Sequence, residues 1–112
     1  MITNDNFKQM ALSFEEAIEL PHFNKVSFRV NKKIFATLDE KAQRAVVKLS
    51  EVEQSVFCGF GKSVVYPVNG VWGKQGWTAI DLKLVNNDLL LDALTTSYCN
   101  VAPARLSEGR RR

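Results

Sequence analysis

The chain has 112 residues, 46% hydrophobic and 24% charged, a length that suits one core and is too short for two. That hydrophobic content excludes wholesale disorder, and no apolar run approaches the ~20 residues of a membrane-spanning helix. A net charge of +3 and a pI near 9.0 invite a polyanionic partner.

Residues 105–112 carry four Arg against Glu108, so the tail supplies the whole excess and residues 1–104 are neutral overall. Within the neutral part, residues 25–48 stand at +5, between flanks of −3 (residues 1–24) and −2 (residues 49–60). The polar start from Met1 to Asn6 lacks the basic-then-apolar layout of a signal peptide, and the expectation is a soluble cytoplasmic protein.

Phe7, Met10, Ala11 and Phe14 recur at helical spacing and predict a helix over 3–14, capped by Thr3 or Asn4. Residues 16–20 form a short candidate strand, ended by Pro21 because proline has no ladder donor. Residues 25–30 alternate, with Val26, Phe28 and Val30 inward and Lys25, Ser27 and Arg29 outward. Asn31-Lys32 is a two-residue turn into a strand over 33–38, where Ile34, Ala36 and Leu38 continue the buried face. A further strand over 44–49 turns Ala45, Val47 and Leu49 inward and Arg44, Val46 and Lys48 outward. The result is an antiparallel meander with one apolar and one basic face.

Ser50 and Glu53 form a capping box, and the helix it opens runs to about Gly59, burying Val52, Val56 and Phe57. A short strand over 64–66 is stopped by Pro67; a glycine-rich loop over 69–76 holds Trp72; a strand then runs from 77 to 85. Asn86 or Asn87 caps a last helix through Leu90, Ala93, Leu94, Ser97, Tyr98 and Val101, closed by Pro103. These pieces predict one α+β domain over 1–104, with a disordered basic tail over 105–112.

Little here suggests catalysis. Gly61-Lys62-Ser63 resembles the end of a phosphate-binding loop, but Val56 stands where that motif needs its first glycine, and a helix precedes it. Cys58, Cys99 and the single His22 make no metal-ligand spacing, and the expectation is buried thiols, no metal and no cofactor. Asp81 lies between apolar neighbours and reads as the solvated or interface side of a strand. No catalytic set emerges, so the chain reads as non-enzymatic.

Binding is better represented. The outward meander face carries Lys25, Arg29, Lys33, Arg44 and Lys48, with Phe35 among them. Strands so charged suit a phosphate backbone through counterion release, or they are a solvated face whose lysines guard against edge pairing. In the loop, Trp72, Lys74 and Trp77 offer stacking and charge to nucleic acid, or the tryptophans fold back into the core. Arg110, Arg111 and Arg112 would add non-specific attraction.

The order of the pieces also carries a resemblance. Pro21-His22-Phe23, the run Phe28 to Leu38, Trp77-Thr78-Ala79-Ile80-Asp81-Leu82, and the segment from Asp88 to Tyr98 together resemble the MmcQ/YjbR family of small bacterial proteins. The resemblance implies a two-layer α+β domain, an antiparallel sheet with packed helices in the order α-β(4)-α-β(2)-α. It also implies a likeness to double-wing DNA-binding modules, and no catalytic residues. The leading expectation is therefore a monomeric DNA-binding domain using the basic face and the Trp72 loop, with no membrane contact. The alternatives are a protein-interaction module of secretion-chaperone-like layout, holding a partner segment on the sheet, and a small-molecule binder.

Overall fold

Thr3 caps the first helix as expected, its hydroxyl accepting the Asn6 N–H at 3.0 Å, and α1 covers Asn4–Leu12 with Phe7 and Ala11 buried. The computed structural model describes residues 1–108. After α1 come β1 (Ile18–His22), β2 (Lys25–Val30), β3 (Lys33–Asp39), β4 (Arg44–Lys48) and α2 (Glu51–Cys58). They are followed by β5 (Val65–Pro67), α3 (Val71–Lys74), β6 (Trp77–Asp81), α4 (Asn87–Val101) and α5 (Ala104–Ser107). The six strands form one antiparallel sheet in the order β1-β2-β3-β4-β6-β5. The α+β class and the two-layer plan are as expected. Among the described residues, no helix is long and apolar enough to cross a membrane.

Asn31 and Lys32 make the predicted turn, both with positive φ (51° and 68°), the backbone of a tight hairpin whose twist matches its strands. Beyond it Ala36 and Leu38 are buried as expected, but the alternation fails at Ile34 and Phe35. Phe28 pairs with Ala36 and Arg29 with Ile34, so Phe35 is an extra residue in β3. This bulge reverses side-chain parity: Phe35 is fully buried, and Ile34 passes to the opposite face. Phe35 therefore does not stand among the outward basic residues.

Both prolines lie inside strands they were expected to end. Pro21 sits in β1 and Pro67 in β5, the two edges of the sheet, where a missing N–H need not be paired. The strand from Trp77 ends at Asp81, short of Val85: Leu84 N–H and Val85 N–H both turn back to the Asp81 carbonyl.

α4 lies on β3 and β4 and buries Leu90, Ala93, Leu94, Ser97 and Tyr98. Asn86 caps it, accepting the Leu89 N–H at 2.8 Å. Tyr98 stacks on Phe14 at 4.8 Å and meets Phe35 edge-on at 5.5 Å, while Phe7 meets Phe28 edge-on at 5.5 Å. These contacts tie α1, α4 and the bulge into one core. Ser97 is the polar pin in it: its hydroxyl donates to the Phe35 carbonyl at 2.5 Å and accepts the Lys48 N–H at 2.8 Å.

α2 has its predicted capping box, but it buries no residue fully. Its Gln54 side faces inward, the amide donating to the Gly73 carbonyl and to Thr78 Oγ1, both at 3.0 Å. That orientation leaves Val52 and Val56 exposed, with Phe57 half-buried. The segment after Pro103 forms α5, with Leu106 buried and Arg105 joined to Glu16 through two bonds of 2.8 and 3.0 Å.

Candidate nucleic-acid interface

α1 and α4 cover one face of the sheet, so the opposite face is available to a ligand. β2 turns Lys25, Ser27 and Arg29 to that side, β4 Arg44, Val46 and Lys48, and β6 Trp77, Ala79 and Asp81, with Ser27 and Ala79 buried beneath their neighbours. The connection between β5 and β6 contains α3, which hangs Trp72 over this face with 60% of its surface exposed. Trp72 thus does not fold back into the core, and Trp77 is half-buried in the sheet surface.

The surface is a trough made of two adjoining hollows that share Ile34 and Trp77. One, of about 400 Å³, has Ile34, Val46, Val68 and the two tryptophans as its apolar lining, with His22 and Lys25 at its margin. The other, of about 600 Å³, is bounded by Lys33, Lys48, Gln75 and Asn100. Lys33 reaches this rim from the end of β3, although its register partner is the core residue Val30.

Two glycines let the wall form. Gly73 lies so close to the Val68 carbonyl that a Cβ would sit 1.9 Å from it, and at Gly76 (φ 101°) a Cβ would sit 1.8 Å from the Leu49 carbonyl. Lys48 braces the same wall, its ammonium donating to the Gln75 carbonyl and lying 5.5 Å from the Trp77 ring centroid.

The basic residues are not equivalent. Arg44 stands in register between Asp39 and Asp81, with Asp39 at 4.0 Å, and is locally balanced. Among the described residues, Lys25, Arg29, Lys33 and Lys48 have no carboxylate within ion-pair distance. Arg29 is held by its own strand, Nε donating to Ser27 Oγ at 3.0 Å. Lys74 ends α3 on an exposed surface and lines neither hollow. Arg110, Arg111 and Arg112 lie outside the described residues.

His22, Ile34, Val46 and Val68 complete the trough and were not legible as site residues. His22 is carried there because β1 continues past Pro21, and Ile34 because of the bulge; neither event leaves a mark in local alternation. Among the described residues, no three His, Cys, Asp or Glu side chains are placed to hold a metal ion. Cys58 and Cys99 are not joined in a disulfide; Cys99 is buried as expected, Cys58 is only half-buried, and burial still pushes the Cys58 thiol up, away from a reactive thiolate.

A family model described as YjbR matches residues 12–100, which takes in β1 through most of α4. The chain belongs to the YjbR family. The YjbR architecture recurs in the crystal structure of Deinococcus radiodurans protein DR2400, a DUF419-domain protein. That structure has a TM-score of 0.78 to this chain at 19% sequence identity, covering 89% of this chain and 78% of the other. At that identity the likeness concerns the fold. No curated protein matches the YjbR chain.

Proposed function

We propose that this YjbR domain is a non-enzymatic DNA-binding module that takes the polyanion on the open face of its sheet. The observation that carries the reading is the gathering of Lys25, Lys33 and Lys48 around one aromatic trough, with Arg29 in register beside its Ile34, all without carboxylate partners among the described residues. Cations held apart from acids on a concave surface can release counterions from phosphates. Arg44, neutralised by Asp39, contributes little, and contacts of this kind position a backbone without reading its bases.

The test is fluorescence anisotropy of labelled DNA, single-stranded and duplex, across a salt series. Four phosphate contacts predict about a 100-fold loss of affinity between ~50 and ~200 mM salt. Replacing Lys25, Arg29 and Lys33 together by Gln should flatten that dependence; Lys48 is retained because it braces Gln75. If neither DNA form binds at low salt, or the triple variant keeps the parental salt slope, the proposal is wrong.

One observation favours a second reading, a protein-interaction module. Val52, Val56 and Phe60 are spaced four apart and are 73%, 59% and 65% exposed, an apolar stripe along α2 and the turn after it.

A further inference from the structure

Resting on the DNA-binding reading, we propose that the ligand is single-stranded DNA, with bases seated on Trp72 and Trp77 and phosphates meeting Lys25, Lys33 and Lys48. The trough separates two chemistries. Its floor is apolar, formed by Ile34, Val46 and Val68 with the tryptophan rings, while its ammonium groups stand at the margins. A duplex offers its outer surface of phosphate and sugar, and laying that surface on this floor would bury apolar area against charge. A single strand carries flat apolar base faces and phosphates on one flexible chain, and so matches floor and rim together.

The aromatic groups support the same ligand. Trp72 is left 60% exposed beside a hollow of about 400 Å³, a ring surface that nothing in the described chain covers. At the margin where His22 enters, Phe23 is 94% exposed at the β1–β2 turn, its ring centroid 4.9 Å from that of His22. The helices argue against duplex readout. α1 and α4 occupy the far face, and the first turn of α2 carries Glu51 and Glu53, which would meet phosphate with like charge.

Trp72 and Trp77 are the only tryptophans, so intrinsic fluorescence reports on the trough directly. Oligo(dT) of about ten nucleotides should quench that emission and bind about tenfold tighter than a hairpin duplex of equal phosphate count. Trp72→Ala should weaken oligo(dT) binding about tenfold while leaving the melting temperature unchanged, since the side chain is mostly in solvent. Duplex binding as tight as oligo(dT), without quenching, overturns the single-strand assignment and leaves the broader DNA reading standing. Oligo(rU) bound as tightly as oligo(dT) overturns the assignment to DNA. Absence of binding by either DNA form at low salt overturns both.

Discussion

Alanine substitutions at three glycines separate the cost of close approach from the cost of backbone strain in the trough wall. Gly70 has φ 77° with open space around it; Gly73 has helical backbone but a Cβ there would sit 1.9 Å from the Val68 carbonyl; Gly76 combines φ 101° with a Cβ 1.8 Å from the Leu49 carbonyl. Backbone strain alone costs about 1–2 kcal/mol, offset by about 0.4–1 kcal/mol of lost freedom in the unfolded chain. Relieving the contact at Gly76 requires a shift of about 1.5 Å, since ordinary Cβ contacts begin at 3.4 Å. Such a shift breaks the Leu49 N–H bond to the Gly76 carbonyl, 3.0 Å long, and disturbs Thr78, whose hydroxyl donates to the same carbonyl at 2.9 Å. With each bond worth about 1 kcal/mol net, and unmet buried groups costing about 1–3, Gly76→Ala should lose about 3–5 kcal/mol. Gly73→Ala should lose about 2–3 kcal/mol, and Gly70→Ala, with its φ of 77° and ψ of −155°, about 1–2. At roughly 4 °C per kcal/mol, the Gly76→Ala melting temperature falls by about 12–20 °C. Urea denaturation followed by tryptophan fluorescence measures all three. A Gly70→Ala loss equal to that of Gly76→Ala would show that backbone strain dominates and would refute the reasoning from close approach.

Two further predictions concern the core pin and the C-terminal contact. Ser97→Ala removes the hydroxyl that joins the Phe35 carbonyl to the Lys48 N–H in a fully buried setting, and should cost about 2–4 kcal/mol in denaturant unfolding; a loss below about 1 kcal/mol would mean those groups find other partners. The Arg105 guanidinium, bonded to Glu16, holds its carboxyl below the ordinary 4.5. Because the folded value is the depressed one, the contact contributes fully above the unfolded value, and its contribution is lost as pH falls through the folded value. An NMR titration of Glu16 should therefore have its midpoint below 4.5, moving upward in Arg105→Gln; an unmoved midpoint counts against the contact.

Much of the architecture was readable locally because its causes are local. Thr3, Ser50 and Asn86 each supply a side-chain oxygen to the first turn of the helix they precede, and the caps formed where that chemistry stood. Asn31 and Lys32 tolerated positive φ in a two-residue hairpin, and β2 and β4 kept their period of two. Lys25 and Lys48 reach the trough through the same strand parity, whereas Lys33 reaches it from a strand end after the bulge has changed its register.

What escaped the sequence depended on partners distant in the chain. An amphipathic reading of α2 cannot tell which side meets the sheet; the bonds from Gln54 to Gly73 and Thr78 decide that, and they leave Val52 and Val56 in water. Leu106 carries no periodic signal in so short a segment, yet it is buried once α5 folds back.

The order of residues by itself predicted helices and strands of one α+β domain, with positive charge concentrated on three of the strands and a tail. Tertiary structure decided which of those charges stand beside carboxylates and which do not. Register set Arg44 between two carboxylates and left Lys25, Arg29, Lys33 and Lys48 unpaired among the described residues. One extra residue in β3 sent Phe35 into the core and Ile34 to the trough. The physical reason is that a sheet has two faces and a strand alternates strictly between them. A single bulge, fixed by packing and by Ser97 from a helix far along the chain, exchanges the faces of Ile34 and Phe35 while Ala36 and Leu38 keep theirs.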